Sequence, residues 1–293
     1  MLSVTTGRAN GTNATDLDGP YVLTRPEPDV ATPVLVEVPH AGLVVPTHIV
    51  GEMDAPRNAR LRDADVYVDR LFASAPEHGA TLLVARYSRF VVDLNRAEDD
   101  VDLATVKGHP APRAAQPRGV VWRLATDGRP LMKQPLTYAQ FERRLELCYR
   151  PYHRALDAEL RRLRDTFGYA ILVAAHSMPS VGRALHGDTG HRRADVVPGT
   201  RGRTSADPRV IDLVDAHFRA AGLSVRHDDP YRGGFTTGHY GRPREGIHAI
   251  QIELNRALYV DEQTFEPREP GFGELEALLG ALVRELGALR LDD

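Results

Sequence analysis

Short runs of almost wholly apolar residues alternate along the chain with longer amphipathic stretches. Runs of this length that are rich in β-branched residues are typical of strands buried on both faces of a sheet. They predict strands at residues 33–38, 80–85, 90–94, 169–175, 223–226 and 247–254. Strands that alternate with helical segments in this way indicate an α/β sheet.

The amphipathic stretches predict four helical regions. Apolar residues spaced three and four apart mark these regions as residues 65–74, 137–166, 208–221 and 272–289. Pro151 lies inside the longest region and is expected to kink it or to split it into two helices. Pro208 opens the third region and Gly222 follows its end, which is the usual punctuation of a helix. Two long Pro- and Gly-rich segments, 97–136 and 177–205, are expected to be functional loops or lids.

The domain organisation is simple. Residues 1–22 are rich in Gly, Asn, Thr and Asp, and are expected to form a loose N-terminal arm. Residues 23–293 show no internal repeat and no long linker, and a chain of this length can bury a core within one α/β domain.

Composition and charge narrow the classes of function. The 293 residues carry 37 Lys and Arg against 40 Asp and Glu, a net charge of -3, which does not favour nucleic-acid binding. Cys148 is the only cysteine, which excludes an intramolecular disulfide and a cysteine-rich zinc module. No apolar run reaches the roughly 18 residues that span a bilayer, and no signal-peptide pattern follows Met1. These features predict a soluble, cytoplasmic protein with no membrane or nucleic-acid partner.

Three predicted strands run into or contain residues that can bind a metal or transfer protons. His40 and His176 each follow a predicted strand, and Glu253 lies within the last one. In open α/β sheets, ligands bind outside the carboxyl ends of the strands, so these side chains are expected to converge. A catalytic zinc takes three protein ligands and keeps a position for water. We therefore predict a metal site, in preference to two loop histidines that are bonded to nearby backbone.

The third ligand is expected to be a carboxylate from the pair Asp63 and Asp65. Asp65 directly precedes the apolar face of the next helix, which can fix the direction of its side chain, and Asp63 is the second choice. An aspartate at this point is also a favoured helix cap, and chemistry alone gives the two interpretations equal weight.

Glu253 is a charged residue in an otherwise apolar strand. Alternation places it on the same sheet face as Gln251 and opposite Ile250 and Ile252. A buried charge is unfavourable unless it is paired or used. Beside a metal-activated water, a glutamate can take a proton and pass it to a leaving nitrogen. We prefer this role to a buried salt bridge with Arg256.

The segment that ends in Arg96 offers donors for an anionic substrate. Arg89, Asn95 and Arg96 present fork-like or amide donors that suit a carboxylate, and Asp93 can hold an arginine in place. The spacing alone is equally compatible with exposed ion pairs.

Taken together, these residues lie in a sequence that resembles the N-formylglutamate amidohydrolase (deformylase) family. The matching segments, in order, are PHAG at 39–42, DADVYVDRL at 63–71, RYSRFVVDLNR at 86–96, GVVWRLATDGRPL at 119–131, YRPYH at 149–153, AAHSMPS at 174–180, DPYRGGFTTGHYG at 229–241 and HAIQIELNRALYVDE at 248–262. Each segment is weak by itself, but the ordered set is specific. The resemblance implies a phosphorylase/hydrolase-like fold related to zinc carboxypeptidases, with three α/β/α layers about a mixed, mostly parallel central sheet. It makes residues 23–293 a single zinc amidohydrolase domain.

The resemblance also implies site residues. The implied ligands of one Zn²⁺, or of another divalent metal, are His40, Asp65 and His176. Glu253 matches the general base of these hydrolases. The residues implied in binding a small dicarboxylate substrate are Arg89, Asn95, Arg96, Arg183 and Arg232.

The reaction implied is hydrolysis of N-formyl-L-glutamate to formate and L-glutamate, a step of histidine degradation. Two positions depart from the family pattern, because Ala41 replaces a common serine and Asp228-Asp229 stand where an asparagine is common. The alternatives are a zinc hydrolase of another N-acyl amino acid or small peptide, and a non-catalytic binding protein on the same scaffold.

Overall fold

A computed structural model describes residues 3–6, 19–113, 117–183 and 187–291. The strands, in chain order, are β1 (Ser3–Thr6), β2 (Tyr21–Arg25), β3 (Val34–Val38), β4 (Thr81–Ala85), β5 (Val106–Lys107), β6 (Leu136–Thr137), β7 (Ala170–Met178), β8 (Val196–Gly199) and β9 (Ile247–Asn255). The central sheet has the strand order β1-β2-β4-β3-β7-β9-β8, and β5 and β6 form a separate small ladder. The four strands in the middle, β4, β3, β7 and β9, are parallel, and β1, β2 and β8 join antiparallel at the two edges. The predicted mixed α/β sheet is confirmed.

Helices cover both faces of this sheet. They are α1 (Thr47–Val50), α2 (Arg57–Asp63), α3 (Val68–Leu71), α4 (Tyr138–Arg144), α5 (Arg150–Phe167), α6 (Pro208–Ala220), α7 (Phe235–Tyr240) and α8 (Gly271–Ala288). Short 3₁₀ turns occupy Ala75–His78, Pro243–Glu245 and Arg256–Leu258. Val36, Val173 and Ile252 face a core shared with α3, α6 and α8. Leu35 and Leu172 point to the opposite face, where α4 and α5 pack. Strand alternation thus divides the apolar side chains between two cores, which gives three layers.

The long helical region predicted at 137–166 is interrupted, as expected from Pro151. A π-helical stretch, Leu145–Tyr149, separates α4 from α5, and Pro151 lies in the first turn of α5. Proline lacks a backbone N–H, so it is tolerated at a helix start but disrupts a helix interior.

Two of the predicted strands are wrong. Residues 90–94 form turns, with Val91 N donating to Ser88 O at 2.8 Å. Their apolar side chains are buried, so the apolar run in the sequence indicated burial but did not indicate a strand of the sheet. Residues 223–226 contribute only an isolated bridge between Val225 and Val196. The sequence pattern missed β8 because of Pro198, which an outer strand tolerates.

Two short parts of the predicted N-terminal arm are described, and both contain strand residues. Ser3–Thr6 pairs with β2, and β2 itself begins at Tyr21, so both contribute to the edge of the sheet. Residues 7–18 lie outside the described residues.

Candidate metal and catalytic site

Three buried side chains that can ligate a metal meet near the carboxyl ends of the parallel strands. His40 follows β3, His176 lies near the end of the adjacent β7, and Asp65 lies in the turn between α2 and α3. One ligand atom from each residue lies within 4.8 Å of the others. The structure therefore contains a His40–Asp65–His176 group that can bind a metal ion.

The hydrogen bonds of His40 prepare one of its ring nitrogens for a ligand. His40 Nε2 lies 2.8 Å from Asp93 Oδ1, so it carries the proton and donates to this carboxylate. His40 Nδ1 is then left with a lone pair, and it is buried without a hydrogen-bond partner, 3.5 Å from Asp65 Oδ2. A histidine whose second nitrogen donates to a carboxylate is the usual form of a metal ligand. The residues present therefore fit a metal.

Asp65 supplies negative charge to this group. Its Oδ2 lies 3.0 Å from His176 Nδ1. Burial on its own would raise the pKa of the Asp65 carboxyl, but the hydrogen bond with His176 and the nearby His40 ring hold that pKa well below its usual value. An ionised carboxylate between two imidazoles matches the ligand chemistry of zinc.

Asp93 is a second carboxylate of the site, and it holds the His40 ring through the hydrogen bond to Nε2. It also accepts hydrogen bonds from Arg89 Nη2 at 2.7 Å and from Trp122 Nε1 at 2.9 Å. Burial alone would raise the pKa of Asp93, yet the Arg89 guanidinium and His40 hold that pKa well below its usual value. Arg89 therefore forms an ion pair with Asp93, and its Cζ also lies 4.5 Å from the centre of the Trp122 ring. The sequence-based idea that Asp93 holds an arginine in place is confirmed.

Glu253 lies beside the group because its strand pairs with β7. His176 and Glu253 are directly opposite in the β7–β9 register, and both are buried. Burial raises the pKa of the Glu253 carboxyl. Arg256, the alternative salt-bridge partner, pairs with Asp65 Oδ1 at 3.4 Å rather than with Glu253. It also donates to Ser177 Oγ at 3.1 Å and to the backbone carbonyl oxygens of residues 62 and 64.

A network of amide side chains joins Glu253 to the strands and loops around it. Gln251 Nε2 donates to Glu253 Oε1 at 2.9 Å, and Gln251 Oε1 accepts from Gly234 N at 2.8 Å. Asn95 Nδ2 lies 3.3 Å from Gln251 Oε1 and 3.2 Å from His176 Nε2. A side chain at Gly234 would collide with Asn95, since its Cβ would come within 2.3 Å of the amide atoms. The backbone of residues 233–234 thus lies directly against the site.

The group opens into a cavity of about 690 Å³, a size suited to a small molecule. Predicted site residues that line it are His40, Asp65, Arg89, Asn95, Arg96, His176, Arg232 and Glu253. Arg183 is not among the lining residues, because its Nη1 donates to Arg62 O at 2.9 Å and to Asp63 Oδ1 at 3.3 Å. Asp63 also accepts from Thr126 N at 2.9 Å, so it faces away from the two histidines that Asp65 joins.

Sequence reasoning missed several residues of the cavity wall. They are Arg201, Tyr231, Phe235, His239 and Gln251. Gln251 had a detectable signal, because it shares a sheet face with Glu253 two positions away. Burial raises the pKa of Tyr231 to about 12, so its hydroxyl is a neutral hydrogen-bond donor at neutral pH. Arg201 lies in an irregular loop, where no periodic pattern marks which side chains turn inward.

The Asp228-Asp229 pair does not add charge to the cavity wall. Asp228 Oδ1 accepts from Thr200 N at 2.6 Å and its Oδ2 accepts from Gly202 N at 2.8 Å, while Asp229 pairs with Arg226 at 3.1 Å. Neither aspartate lines the cavity. Asp228 therefore fixes the backbone of the loop that carries Arg201.

The fold and the site together define an α/β protein with a buried His–Asp–His group, a neighbouring glutamate and a cavity for a small ligand. A sequence profile of the N-formylglutamate amidohydrolase family matches residues 32–260. The chain belongs to this family.

Individual relatives are similar over most of their length. The chain is 36% identical to the N-formylglutamate deformylase of Pseudomonas aeruginosa over 87% of this chain and 91% of that protein. It is 35% identical to the enzyme of the same name from Pseudomonas putida, over 87% and 92%. The solved structure of an N-formylglutamate amidohydrolase from Ralstonia eutropha JMP134 has a TM-score of 0.82 at 34% identity, over 92% of this chain and 97% of that one. A gene product of Agrobacterium tumefaciens shares the fold, with a TM-score of 0.62 at 19% identity over 92% and 94%.

Within the described part of the chain, no helix combines the length and the hydropathy needed to cross a bilayer.

Proposed function

We propose that this chain hydrolyses N-formyl-L-glutamate to formate and L-glutamate with the help of a divalent metal, zinc in the first instance. One observation carries the metal-dependent part of the proposal. It is the buried, unpartnered Nδ1 of His40, which faces Asp65 beside His176 and Glu253. The names of the Pseudomonas relatives support the choice of substrate.

His40, Asp65 and His176 would hold the ion. Two imidazoles and one carboxylate are a donor set that zinc accepts, and three protein ligands leave room for water. When bound, such an ion would lower the pKa of water and would polarise a carbonyl oxygen. Asp93 keeps the His40 ring in the tautomer that presents Nδ1.

Glu253 acts as the general base and then as the general acid. It takes a proton from water as the water oxygen bonds to the formyl carbon. It returns that proton to the amide nitrogen as the C–N bond breaks, which releases formate and the amine of L-glutamate. Burial raises the pKa of Glu253, which favours uptake of the proton. Gln251 holds Glu253 Oε1 at 2.9 Å and so limits the rotation of the carboxylate.

The substrate carries two carboxylates, and cations on the cavity wall would orient it. Asn95 contacts His176, and Asn95 and Arg96 both line the cavity, so they would bind the α-carboxylate, which is next to the scissile amide. Arg232 also lines the cavity, from the segment that leads into α7. Arg89 and Arg183 would act indirectly, because Asp93 and Asp63 already engage them. Fixing both carboxylates aligns the small formyl group, whose own contacts are few.

The test is formate release from N-formyl-L-glutamate by purified protein, together with its metal content. We expect bound zinc, loss of formate release with a strong chelator, and recovery when zinc is added back. Bound zinc without formate release would favour another N-acyl substrate on the same site. Absence of both would contradict the proposal and favour a binding protein.

A further inference from the structure

Arg201 stands on the exposed rim of the cavity, in the loop that follows β8. It has a φ of 53°, a left-handed conformation that an L-residue adopts only when its surroundings impose it. Arg201 N donates to Arg232 O at 2.9 Å and to Asp228 Oδ1 at 3.1 Å. The backbone at Arg201 is therefore held before any ligand arrives.

Two glycines make room for the Arg201 side chain. A Cβ at Gly238 would lie 2.9 Å from Arg201 Cζ and Nε, and a Cβ at Gly233 would lie 3.2 Å from Arg201 Cγ. Arg201 Nη1 donates to Gly233 O at 3.1 Å. The guanidinium is thus laid across the glycine-containing segment that also contacts Gln251 and Asn95.

The guanidinium of Arg201 does not form an ion pair with a carboxylate of the described residues, whereas Arg89 is paired with Asp93 at 2.7 Å. Arg96 has a distant partner, Asp100, at 3.9 Å. A guanidinium that is fixed through one nitrogen keeps its other donors for a ligand, and a carboxylate matches their fork geometry.

We propose that Arg201 binds the side-chain carboxylate of the substrate and so determines the preference for a dicarboxylate. This inference rests on the proposed function. The reacting amide must lie near His176 and Glu253, so the α-carboxylate falls on the Asn95 side of the cavity. The side-chain carboxylate, at the far end of the substrate, then extends toward the rim where Arg201 lies.

The experiment compares N-formyl-L-glutamate with N-formyl-L-glutamine, which has the same shape but a neutral amide in place of the side-chain carboxylate. For Arg201→Met, we expect kcat/KM for N-formyl-L-glutamate to fall about 30-fold, because hydrogen bonds to a charged group are lost. The value for N-formyl-L-glutamine should change by less than about 3-fold, within the range of surface substitutions.

Arg203→Met is the matched control. Arg203 lies in the same loop with a φ of 62°, so both substitutions replace an arginine by a methionine at a left-handed backbone position. It pairs with Asp212 at 2.6 Å and does not line this cavity. We expect both substrates to be turned over by Arg203→Met as by the wild type.

Two kinetic outcomes and one binding outcome would overturn the proposal. Equal losses for both substrates in Arg201→Met would mean that Arg201 only supports the loop, and no loss would mean that it does not touch the substrate. Calorimetric binding of L-glutamate and L-glutamine separates this result from a failure of the proposed reaction, because it requires no turnover. Without formate release by the wild type, selective loss of L-glutamate binding in Arg201→Met would still support the role of Arg201. Failure of the wild type to bind L-glutamate would overturn it.

Discussion

Gln251 donates its side-chain amide to Glu253 Oε1 at 2.9 Å, along one face of β9. The other end of the Gln251 amide accepts a hydrogen bond from Gly234 N at 2.8 Å. The proposed general base is therefore positioned by a residue of its own strand, and that residue is itself hydrogen-bonded to the backbone at Gly234. Removing the hydrogen bond from Gln251 should change the orientation of the Glu253 carboxylate without changing the charge of the cavity.

Gln251→Leu is expected to lower kcat about 10-fold with a small change in KM, as losses of supporting hydrogen bonds around a metal site typically do. Leucine keeps the volume but leaves Glu253 Oε1 without its donor. Steady-state kinetics measure the split between kcat and KM, and Gln263→Leu, at an exposed turn position, is the control. An effect confined to KM would show that Gln251 contacts the substrate instead.

Glu253→Gln should lower kcat by at least about 100-fold, because an amide cannot take a proton from water. The isosteric side chain can still accept the hydrogen bond from Gln251, so the fold and the metal content should be preserved. Circular dichroism and metal analysis check both properties. Glu245→Gln, in an exposed 3₁₀ turn, should behave as the wild type. Turnover that survives in Glu253→Gln would refute the assigned mechanism.

Asp93→Asn should weaken metal binding by about 10- to 100-fold, because the carboxylate that orients His40 is lost. It should also destabilise the fold by about 3 kcal/mol, since the Arg89 guanidinium loses its buried partner. Competition with a chromogenic chelator measures the first effect, and urea unfolding measures the second. Asp99→Asn removes only an exposed ion pair with Arg113 and is the control. Unchanged metal affinity in Asp93→Asn would contradict the role of Asp93.

The buried His153 side chain is expected to make the stability of the fold depend on pH. Its Nε2 donates to Leu94 O at 3.1 Å and its Nδ1 accepts from Tyr240 Oη at 2.9 Å, and burial lowers the pKa of His153 to about 3. The unfolded chain binds this proton near pH 6.5, whereas the folded chain does not bind it until about pH 3. Stability is therefore complete above pH 6.5 and falls as the pH drops, by up to about 1.4 kcal/mol per pH unit from this residue.

His153→Gln tests this linkage. Other acidic groups titrate alike in both proteins, so urea unfolding between pH 4 and 7 should show a shallower loss of stability in the variant. Identical slopes would mean that His153 is already protonated in the folded protein.

Much of the fold was predictable from local pattern. The runs at β3, β4, β7 and β9 are apolar because both faces of these strands are buried, and the register of helix-forming residues located α5, α6 and α8. The same local signal misled at residues 90–94, because an apolar run buried in a turn has the composition of a strand. It passed over β8 because an edge strand can contain Pro198.

The sequence alone determined that His40, His176 and Glu253 would emerge near one another, because parallel neighbouring strands end on the same side of a sheet. Tertiary structure decided the rest. It brought Asp65 rather than Asp63 to the two histidines, and it paired Arg89 with Asp93 at the cavity wall. It also placed the Arg201 side chain against two glycines. Contacts between residues far apart in the chain depend on how strands and loops pack. A one-dimensional pattern records which residues are buried but not which partners they meet.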